Sequence, residues 1–519
     1  MVLLSCFMCI FLPMCSLLVI CFIVICKWVN GYWIRKGVTT LKPRLFFGNA
    51  IDVVLQRKCL SDSVKDFHNS LKEKGQPYGG YYFLMRPVLV VTDLELIKRI
   101  LITDFEHFVD HPAYINDDEP LSNHIFSLKG DRWKQLRAKL TPAFTSSKLK
   151  MMLGLFLKCC KDLEVEMDKK IIKDDVVDIG SAMEKLIMDI IGSCAFGLEC
   201  NSFKSTSSDF HKYGSRFFHE PSLKGSVMHI LSLVVPEIFK YINVRVLDAE
   251  MTDFFTNLVN DMVKYREENN IIRKDLMHLL LQLKNDGKVC EEEVGDIKGE
   301  LGEAGNVPLT STELVSQCFV FFIAGVETTA FALTILMYEL STNQKIQDKV
   351  REEIIAVLKK NRGRITYEAI LEMKYLHKCI CESLRKYPPA GVQTRVCTKK
   401  YRIPDTEVIL SEGTPVFIST QGIQCDSSYY PNPEQFDPER FDLDQKSSLP
   451  SCAWFPFGAG PRWCIGNQFG LMQMKVGMIT LLRRYKFDLH PSTKIPISFD
   501  PKTYLLNTAS PIFLSMKKI

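Results

Sequence analysis

The sequence lacks several features that would assign it to a common class of protein. Its formal net charge is only +5 over 519 residues, which does not fit a nucleic-acid-binding protein. Its 18 cysteines form no paired framework of the kind that secreted disulfide-rich proteins carry, so they read as reduced intracellular thiols. No Asn-x-Ser/Thr sequence occurs, which is consistent with a body in the cytosol. No internal repeat or low-complexity tract is present.

Charge is absent from residues 2 to 26, VLLSCFMCIFLPMCSLLVICFIVIC. A helix of this length crosses about 30 Å of hydrocarbon, so we predict a membrane helix. A cleavable signal peptide is the alternative, but the apolar run is long, no basic segment precedes it and no small-residue cleavage site follows it. From Lys27 to Lys58 the chain carries seven basic residues and a single acid, Asp52. The positive-inside rule therefore places the remainder of the chain in the cytosol.

Beyond the apolar run, helical spacing of apolar residues dominates as far as Tyr387, and prolines, short strands and loops follow it. A strand is predicted within Gly79 to Asp93, and a mobile surface loop from Lys284 to Pro308. These patterns divide the chain into a membrane anchor (2–26), a basic, turn-rich linker (27–49) and one large domain (50–519).

The stretch FPFGAGPRWCIG, Phe455 to Gly466, surrounds Cys464 with glycine, proline and aromatic residues. A metal-binding thiolate in a cavity needs nearby donors or cations, because desolvation raises the pKa of a thiol. Gly458 and Gly460 can let backbone N–H groups approach the sulfur. One cysteine alone makes neither a zinc site nor an iron–sulfur cluster, but it can be the axial ligand of haem. A buried structural thiol is the alternative.

The segment FGAGPRWCIG matches every fixed position of Phe-x-x-Gly-x-Arg-x-Cys-x-Gly, and the chain thereby resembles the cytochrome P-450 superfamily of haem-thiolate monooxygenases. The stretches GDRWKQLRAKLTPAF, RKDLMHLLLQLKN and QFGLMQMKVG are similar to its insect microsomal family-six branch. The resemblance covers essentially the whole chain. It implies a mainly α fold with small β-sheets (α+β), in which one domain encloses haem b. It also implies that Cys464 ligates the haem iron, that Phe457 and Gly466 contact haem, and that Arg462 reaches a haem propionate.

A second group of residues lies in FFIAGVETTA, Phe321 to Ala330, where Glu327 and Thr328 interrupt an apolar helix. A buried carboxylate is costly unless it is paired or hydrated. The Thr328 hydroxyl can bond the carbonyl of Ala324 and open the helix locally. The resemblance implies that Glu327 and Thr328 are the catalytic acid and alcohol that deliver protons during oxygen cleavage. A satisfied polar kink in a core helix is the alternative.

Other charged and aromatic residues acquire roles only through the resemblance. Glu382 and Arg385 have i, i+3 spacing, which alone is typical of a solvated pair. The resemblance implies that they form a structural triad with Arg440. It also implies that Trp133, Arg137 and Arg395 bind the propionates, which buried carboxylates require. Without the resemblance, Trp133 would be interpreted as a core residue and the two arginines as surface residues.

A basic surface for an acidic redox partner is also predicted, with a solvated charged face as the alternative. Its residues are Arg132, Lys134, Lys139 and Lys475.

The substrate pocket is predicted by family position. Its predicted residues are Phe126, Ala324, Val326, Val392 and Leu506. The segments FFHEPSL (Phe217 to Leu223) and LSLVVPEIFKYI (Leu231 to Ile242) are predicted to cover the access channel.

Three departures from the family pattern bear on substrate choice or have no clear consequence. Val326 stands where phenylalanine is usual, which predicts a larger or reshaped space above the haem. Residues Asn507 to Pro511 stand where a Pro-Lys-Gly-Gly turn is common, which bears on the last hairpin of the pocket. Gln424 stands where a histidine is common, and no consequence is predicted for this change.

The resulting hypothesis is a monooxygenase anchored in the endoplasmic reticulum membrane with its catalytic domain in the cytosol. It takes electrons from NADPH through a reductase, with cytochrome b5 as a further partner, and inserts one oxygen atom into small lipophilic substrates. A haem-thiolate isomerase or dehydratase and a non-catalytic haem carrier or sensor are the alternatives. The intact Glu327–Thr328 pair argues against both. The sequence does not identify the substrate.

Overall fold

The computed structural model describes residues 2–204, 209–219, 232, 236–289 and 307–519. Residues 220–223 of the first predicted access-channel segment, residues 231 and 233–235 of the second, and most of the predicted loop at 284–308 lie outside the described residues.

Helices make up most of the described chain. The α-helices are α1 (Val2–Asn30), α2 (Tyr32–Arg35), α3 (Ile51–Val54), α4 (Leu60–Glu73), α5 (Leu94–Lys98), α6 (Gly130–Leu140), α7 (Ser146–Lys173), α8 (Ile179–Ile191), α9 (Asp209–His219), α10 (Pro236–Tyr241), α11 (Ala249–Glu268), α12 (Leu276–Asn285), α13 (Ser311–Thr342), α14 (Gln344–Lys360), α15 (Tyr367–Glu372), α16 (Lys374–Lys386), α17 (Thr420–Gln424), α18 (Leu443–Ser448) and α19 (Asn467–Leu482). Short π and 3-10 turns lie between several of them. The predicted mainly α architecture is confirmed.

The strands form small sheets at the periphery. They are β1 (Tyr78–Phe83), β2 (Arg86–Val91), β3 (Val176–Asp178), β4 (Val392–Val396), β5 (Tyr401–Arg402), β6 (Ile409–Leu410), β7 (Pro415–Ser419), β8 (Tyr485–Leu489) and β9 (Phe513–Lys518). One sheet has the order β1-β2-β7-β4, in which only β2 and β7 run parallel. The second has the order β3-β9-β8, and β5 pairs with β6. The single strand predicted within Gly79 to Asp93 is in fact an antiparallel pair, because Leu84 adopts a positive φ of 54° and reverses the chain.

Helix α13 forms the centre of the hydrophobic core. It begins at a capping box in which Thr310 and Glu313 bond each other's backbone N–H groups. The helix is apolar on all sides, as expected for a helix surrounded by protein. Gly325 allows a close approach to α8, since a Cβ there would lie 2.7 Å from Ile191 Cδ1. Of the two described helices long and apolar enough to cross a membrane, α13 is mostly buried in the core, whereas very little of the Pro13–Asn30 span of α1 is buried.

The end of α1 is attached to β1 of the four-stranded sheet. The Tyr82 hydroxyl donates to the Asn30 carbonyl over 2.7 Å and accepts from the Trp33 N–H over 3.1 Å. The Trp33 side chain is fully buried against Gly80, where a Cβ would lie 2.2 Å from the indole ring. Part of the segment assigned to a linker is therefore packed onto the body.

Candidate active site

An internal cavity of about 1190 Å³ lies beside α13. Its wall is drawn from the segment between Pro112 and Ser127, from α6 and α13, from β4, from the cysteine loop and from the segment 501–505. This cavity is large enough for a large planar group together with a small organic molecule, which typically occupies about 300–1,000 Å³.

The cysteine loop, Phe455 to Gly466, is held by bonds within its own backbone. The Cys464 N–H donates to the Phe457 carbonyl over 2.8 Å, and the Gly458 N–H donates to the Phe455 carbonyl over 2.9 Å. The Gly458 N–H is therefore used within the loop, and the backbone N–H that bonds the sulfur is that of Gly466. Gly460 has a φ of +70°, and a Cβ there would lie 1.7 Å from the Leu101 carbonyl oxygen. This turn therefore requires glycine at position 460.

The Cys464 thiol opens into the cavity but is shielded from bulk water. Burial raises the pKa of this thiol, while a hydrogen bond from the Gly466 N–H and the positive charge of Arg137 oppose the rise. A Cβ on Gly466 would meet no atom within 4 Å, so open space adjoins the loop at this point. The thiol, the space beside it and a nearby cation are the components of a site for a thiolate-bound metal cofactor.

Arg395 on β4 is a buried guanidinium with unused donors. Its Nη1 donates to the Thr394 carbonyl over 2.7 Å, and only 1% of the residue is exposed. Neither its Nε nor its Nη2 has a hydrogen-bond partner among the residues that the structure describes. Burial lowers the pKa of Arg395 to about 10. Such a group is costly unless an anion binds it, which fits a buried carboxylate as its partner.

Arg462 lines the cavity, and its guanidinium also donates to backbone carbonyls of the segment before α6. It donates to the carbonyls of Val109 and Leu128 over 2.9 and 2.6 Å, and to that of Ile125 over 3.2 Å. Its guanidinium also lies 4.0 Å from the centre of the Trp133 ring. Burial lowers the pKa of Arg462 to about 9. In this arrangement Arg462 fastens the cysteine loop to the segment before α6, while Arg137 and Trp133 line the cavity beside it.

Asp110 is a site residue that the sequence reasoning missed. Its Oδ1 accepts from the Gly130 N–H at the start of α6 over 2.8 Å and lies 3.6 Å from Arg462 Nη2. Its carbonyl accepts from the Val396 N–H over 2.8 Å. One acid thus joins α6, β4 and the cysteine loop. No local pattern indicates this role, because all three contacts are distant in sequence.

The predicted bond from Thr328 is confirmed, since its Oγ1 donates to the Ala324 carbonyl over 2.6 Å. Helix α13 is assigned without a break from Ser311 to Thr342 through this position. Glu327 and Thr328 both border the cavity. Thr329 borders the cavity as well, on the side of α19, where a Cβ on Gly470 would lie 3.8 Å from the Thr329 hydroxyl.

Three of the five predicted pocket residues, Phe126, Ala324 and Val392, line the cavity. Val326 does not, because it lies on the opposite side of α13 from Ala324 and is completely buried in the core. The expectation that Val326 enlarges the cavity is therefore wrong.

Near the C-terminus, the residues that precede Leu506 line the cavity, whereas Leu506 itself does not. Leu506 is packed in the core with its N–H bonded to the Pro389 carbonyl, and Tyr504 and Leu505 line the cavity in its place. The segment from Asn507 to Pro511 still forms a paired turn, in which Thr508 bridges to Phe499.

Phenylalanine substitutions at positions 324 and 326 provide a matched test of these faces. We expect Ala324→Phe to reduce binding of large ligands more than of small ones, because the ring enters the cavity. We expect Val326→Phe to leave ligand-size preference unchanged and to lower stability by about 1–3 kcal/mol through overpacking. Spectral titration with a size series and thermal melting would measure the two effects. Equal changes in size preference for both variants would contradict the assignment of the faces.

Glu382 and Arg385 on α16 form a buried ion pair with two hydrogen bonds, of 2.7 and 2.9 Å. Both side chains are 0% exposed. Arg440 Nε lies 3.5 Å from Glu382, so the structure brings the three predicted triad residues together. Burial raises the pKa of the Glu382 carboxyl, and Arg385 opposes the rise. Arg385 also donates to the carbonyls of Gln424 and Pro433, both on the chain that leads to the cysteine loop.

The predicted basic surface does not form. Lys139 and Lys475 are buried, and Lys475 donates to the Ile370 carbonyl over 3.1 Å. Burial lowers the pKa of Lys475. Arg132 and Lys134 are exposed, but each pairs with an acid, Asp117 and Asp131 respectively. The amphipathic α6 and the buried α19 place the two other lysines inside the protein.

Comparison with known proteins identifies the family. The family model described as "Cytochrome P450" matches residues 39–516. The chain is similar to a probable cytochrome P450 6a23 of Drosophila melanogaster, with 36% identity covering 98% of this chain and 99% of that protein. It is also similar to cytochrome P450 6k1 of Blattella germanica, with 36% identity covering 94% of this chain and 93% of that protein. With Cys464, Arg137 and Arg462 in the wall of one cavity, the chain belongs to the cytochrome P450 family and is a haem monooxygenase.

Proposed function

We propose that this protein is a membrane-anchored, reductase-dependent monooxygenase that inserts one oxygen atom from O2 into small lipophilic substrates. The observation that carries the proposal is that Cys464 and the Glu327–Thr328 pair border the same cavity. Elsewhere the cavity wall is largely apolar, with Phe126, Phe319 and Ile323 among its residues. An apolar pocket with few polar groups favours lipophilic ligands.

The residues around the cavity fit haem b, the cofactor of this family. Cys464 and Arg137 line the cavity, where they would bind the iron and a propionate respectively. Arg395, next in sequence to the cavity-lining Thr394, has unused N–H groups that would bind the other propionate. When bound, haem supplies the redox-active iron at which O2 is reduced. Because Arg462 donates to several backbone carbonyls, its main contribution in this structure is to hold the loop in place.

Thr328 and Glu327 would control protons at the cavity wall. The Thr328 hydroxyl donates to the Ala324 carbonyl, which leaves the lone pairs of Oγ1 available to a donor in the cavity. Rotation of the hydroxyl about the Cβ–Oγ1 bond would let Oγ1 donate its proton in turn. The Glu327 carboxyl is the adjacent acid from which Thr328 would recover a proton.

The N-terminal helix supports a membrane location. Residues Pro13–Asn30 are long and apolar enough to cross a bilayer, and almost none of this span is buried against the protein. We assign the anchor to the endoplasmic reticulum, with the cavity on the cytosolic side, on the basis of the basic residues that follow the helix. An NADPH-dependent reductase would supply electrons there, with cytochrome b5 as a second donor.

A reconstitution experiment tests this function. The full-length protein would be purified with haem, reduced and exposed to carbon monoxide, and we expect the thiolate-shifted Soret band. With NADPH, reductase and a panel of lipophilic compounds, we expect products that carry one oxygen atom from ¹⁸O2. Turnover without NADPH would indicate the isomerase or dehydratase alternative. Binding without turnover on the whole panel would indicate a carrier or sensor.

Thr328→Ala tests the proton pathway. We expect the variant to keep the shifted Soret band and to divert reducing equivalents from product to peroxide, because the cavity loses its alcohol. Losing one general acid typically slows a proton-transfer step by about 10²–10⁴-fold. NADPH consumption, peroxide and product would be measured together.

Thr334→Ala is the matched control for this substitution. Thr334 makes the same type of bond on α13, to the Ala330 carbonyl over 2.7 Å, but it does not line the cavity. Its replacement is expected to leave coupling unchanged. Tight coupling in Thr328→Ala, or equal uncoupling in both variants, would contradict the pathway.

A further inference from the structure

Gln424, at the end of α17, is a fully buried amide whose hydrogen bonds join two parts of the protein. Its Nε2 donates to the carbonyls of Leu384 and Arg385 at the end of α16, each over 3.0 Å. Its Oε1 accepts from the Phe455 N–H, at the first residue of the cysteine loop, over 2.9 Å. Both amide hydrogens and the carbonyl oxygen of the side chain are thus in use.

The contacts continue on both sides of Gln424. Arg385 donates to the Gln424 backbone carbonyl over 2.8 Å and, through its other nitrogens, binds Glu382. On the loop side, Phe455 accepts from the Gly458 N–H. The next bond along the loop is from the Cys464 N–H to the Phe457 carbonyl. A series of hydrogen bonds, joined within the loop by the peptide chain from Phe457 to Gly458, therefore connects the charged pair on α16 to the residue that carries the thiol.

The start of the cysteine loop has few other attachments in the described structure. Trp454 Nε1 donates to the Cys381 carbonyl over 3.3 Å, and the Tyr430 hydroxyl donates to the Ala453 carbonyl over 3.2 Å. Both bonds lie before Phe455. Arg462 holds the loop just before Cys464, but from the side of Val109 and Leu128. Gln424 alone among these links the α16 end directly to the backbone of the loop itself.

We propose that Gln424 is a positioning residue for Cys464, which sets the height of the cysteine loop relative to α16 and thereby the fraction of haem held through the thiolate. The position requires a side chain that donates to two backbone carbonyls and accepts from one backbone N–H, and an uncharged amide does both. A carboxylate cannot donate to the two carbonyls, and an apolar side chain leaves three buried backbone groups unpaired. The proposal goes beyond the proposed function, because it concerns iron ligation and holds whatever the substrate is.

Gln424→Met tests the proposal, because it preserves the length and burial of the side chain but removes its hydrogen bonds. We expect the ratio of thiolate-ligated to otherwise ligated haem in the reduced carbon monoxide complex to fall about tenfold, the effect of losing one buried hydrogen bond. The spectrum would be recorded at a temperature at which circular dichroism shows the variant folded. Neither the carbon monoxide spectrum nor circular dichroism requires turnover. A result against the role of Gln424 is therefore distinct from a result against the monooxygenase proposal.

Gln421→Met is the matched control. Gln421 lies three residues earlier on α17 and is 4% exposed, and its side chain makes no hydrogen bond to the cysteine loop in the described structure. This control is expected to alter stability without changing the ratio. A normal ratio in Gln424→Met, or an equal fall in both variants, would overturn the proposal.

Hydrogen exchange on the unmodified holoenzyme provides a second measurement if Gln424→Met does not fold. The Phe455 amide is expected to exchange as slowly as the amides at the end of α16, because they open together. Exchange of this amide at the rate of exposed loop amides would equally overturn the proposal.

Discussion

Replacement of Cys464 by alanine is expected to abolish the thiolate-shifted Soret band of the reduced carbon monoxide complex. The band requires a thiolate on the iron, and Cys464 is placed to supply it from the loop that ends at Gly466. Neighbouring side chains cannot substitute for the sulfur, because the loop backbone is fixed by its own bonds and by the close contact of Gly460 with Leu101. Absorbance spectra of the reduced, carbon monoxide-treated protein and its bound haem content would measure the loss.

Cys194→Ala is the control for this experiment. Cys194 is fully buried and also borders the cavity, so it tests whether any cysteine in the wall affects the band. Its replacement is expected to preserve the band in full. Retention of the band in Cys464→Ala would show that the ligand has been assigned to the wrong residue.

Among the single substitutions described above, Arg385→Met is expected to lower the free energy of unfolding most. The substitution leaves Glu382 as a buried carboxylate whose remaining contacts are the Asp437 N–H at 3.0 Å and Arg440 at 3.5 Å. Breaking a buried ion pair by removing one partner typically costs about 3–5 kcal/mol. The carbonyls of Gln424 and Pro433 lose their donor as well. Thermal melting of the holoenzyme, monitored by circular dichroism, would show the loss.

The double variant Glu382→Met/Arg385→Met separates the charge from the packing. Removing both partners eliminates the uncompensated carboxylate, so the double variant is expected to be more stable than Arg385→Met. Recovery should be incomplete, because the two backbone carbonyls remain without their donor. A double variant as unstable as the single one would show that the ion pair itself contributes little.

Features that depend on a short stretch of sequence could be predicted. The cysteine loop and the Thr328 bond follow from residues within a few positions of one another, and the spacing of apolar residues indicated the helical body. The pocket residues were harder, because Ala324 and Val326 both lie on an apolar helix. Which of them faces the cavity depends on how α13 is rotated against α8, and the apolar residues that surround this helix carry no signal for that rotation. Glu327 and Thr328 do carry one, because Ala324 lies three and four residues before them and shares their face.

Long-range contacts could not be predicted. Lys139 and Lys475 are predicted to lie on a basic surface because lysine is usually exposed. The packing of their helices buries both. Asp110 and Gln424 are the converse case, because the sequence offered no reason to assign them a role and the structure gives each a specific one. Each makes several specific bonds to segments that are distant in sequence, and neither lies in a recognisable motif. Their roles appear only when α6, α16 and the cysteine loop are seen in contact.

The attachment of Trp33 and Asn30 to β1 also has a mechanical consequence. A domain on a flexible tether would tumble independently of its anchor, whereas a domain whose first strand is bonded to the end of the anchoring helix must tilt with it. With α1 as the proposed membrane anchor, the two bonds of the Tyr82 hydroxyl would fix the angle of the body to the bilayer. Lipophilic molecules dissolved in the membrane would then meet the protein in one orientation.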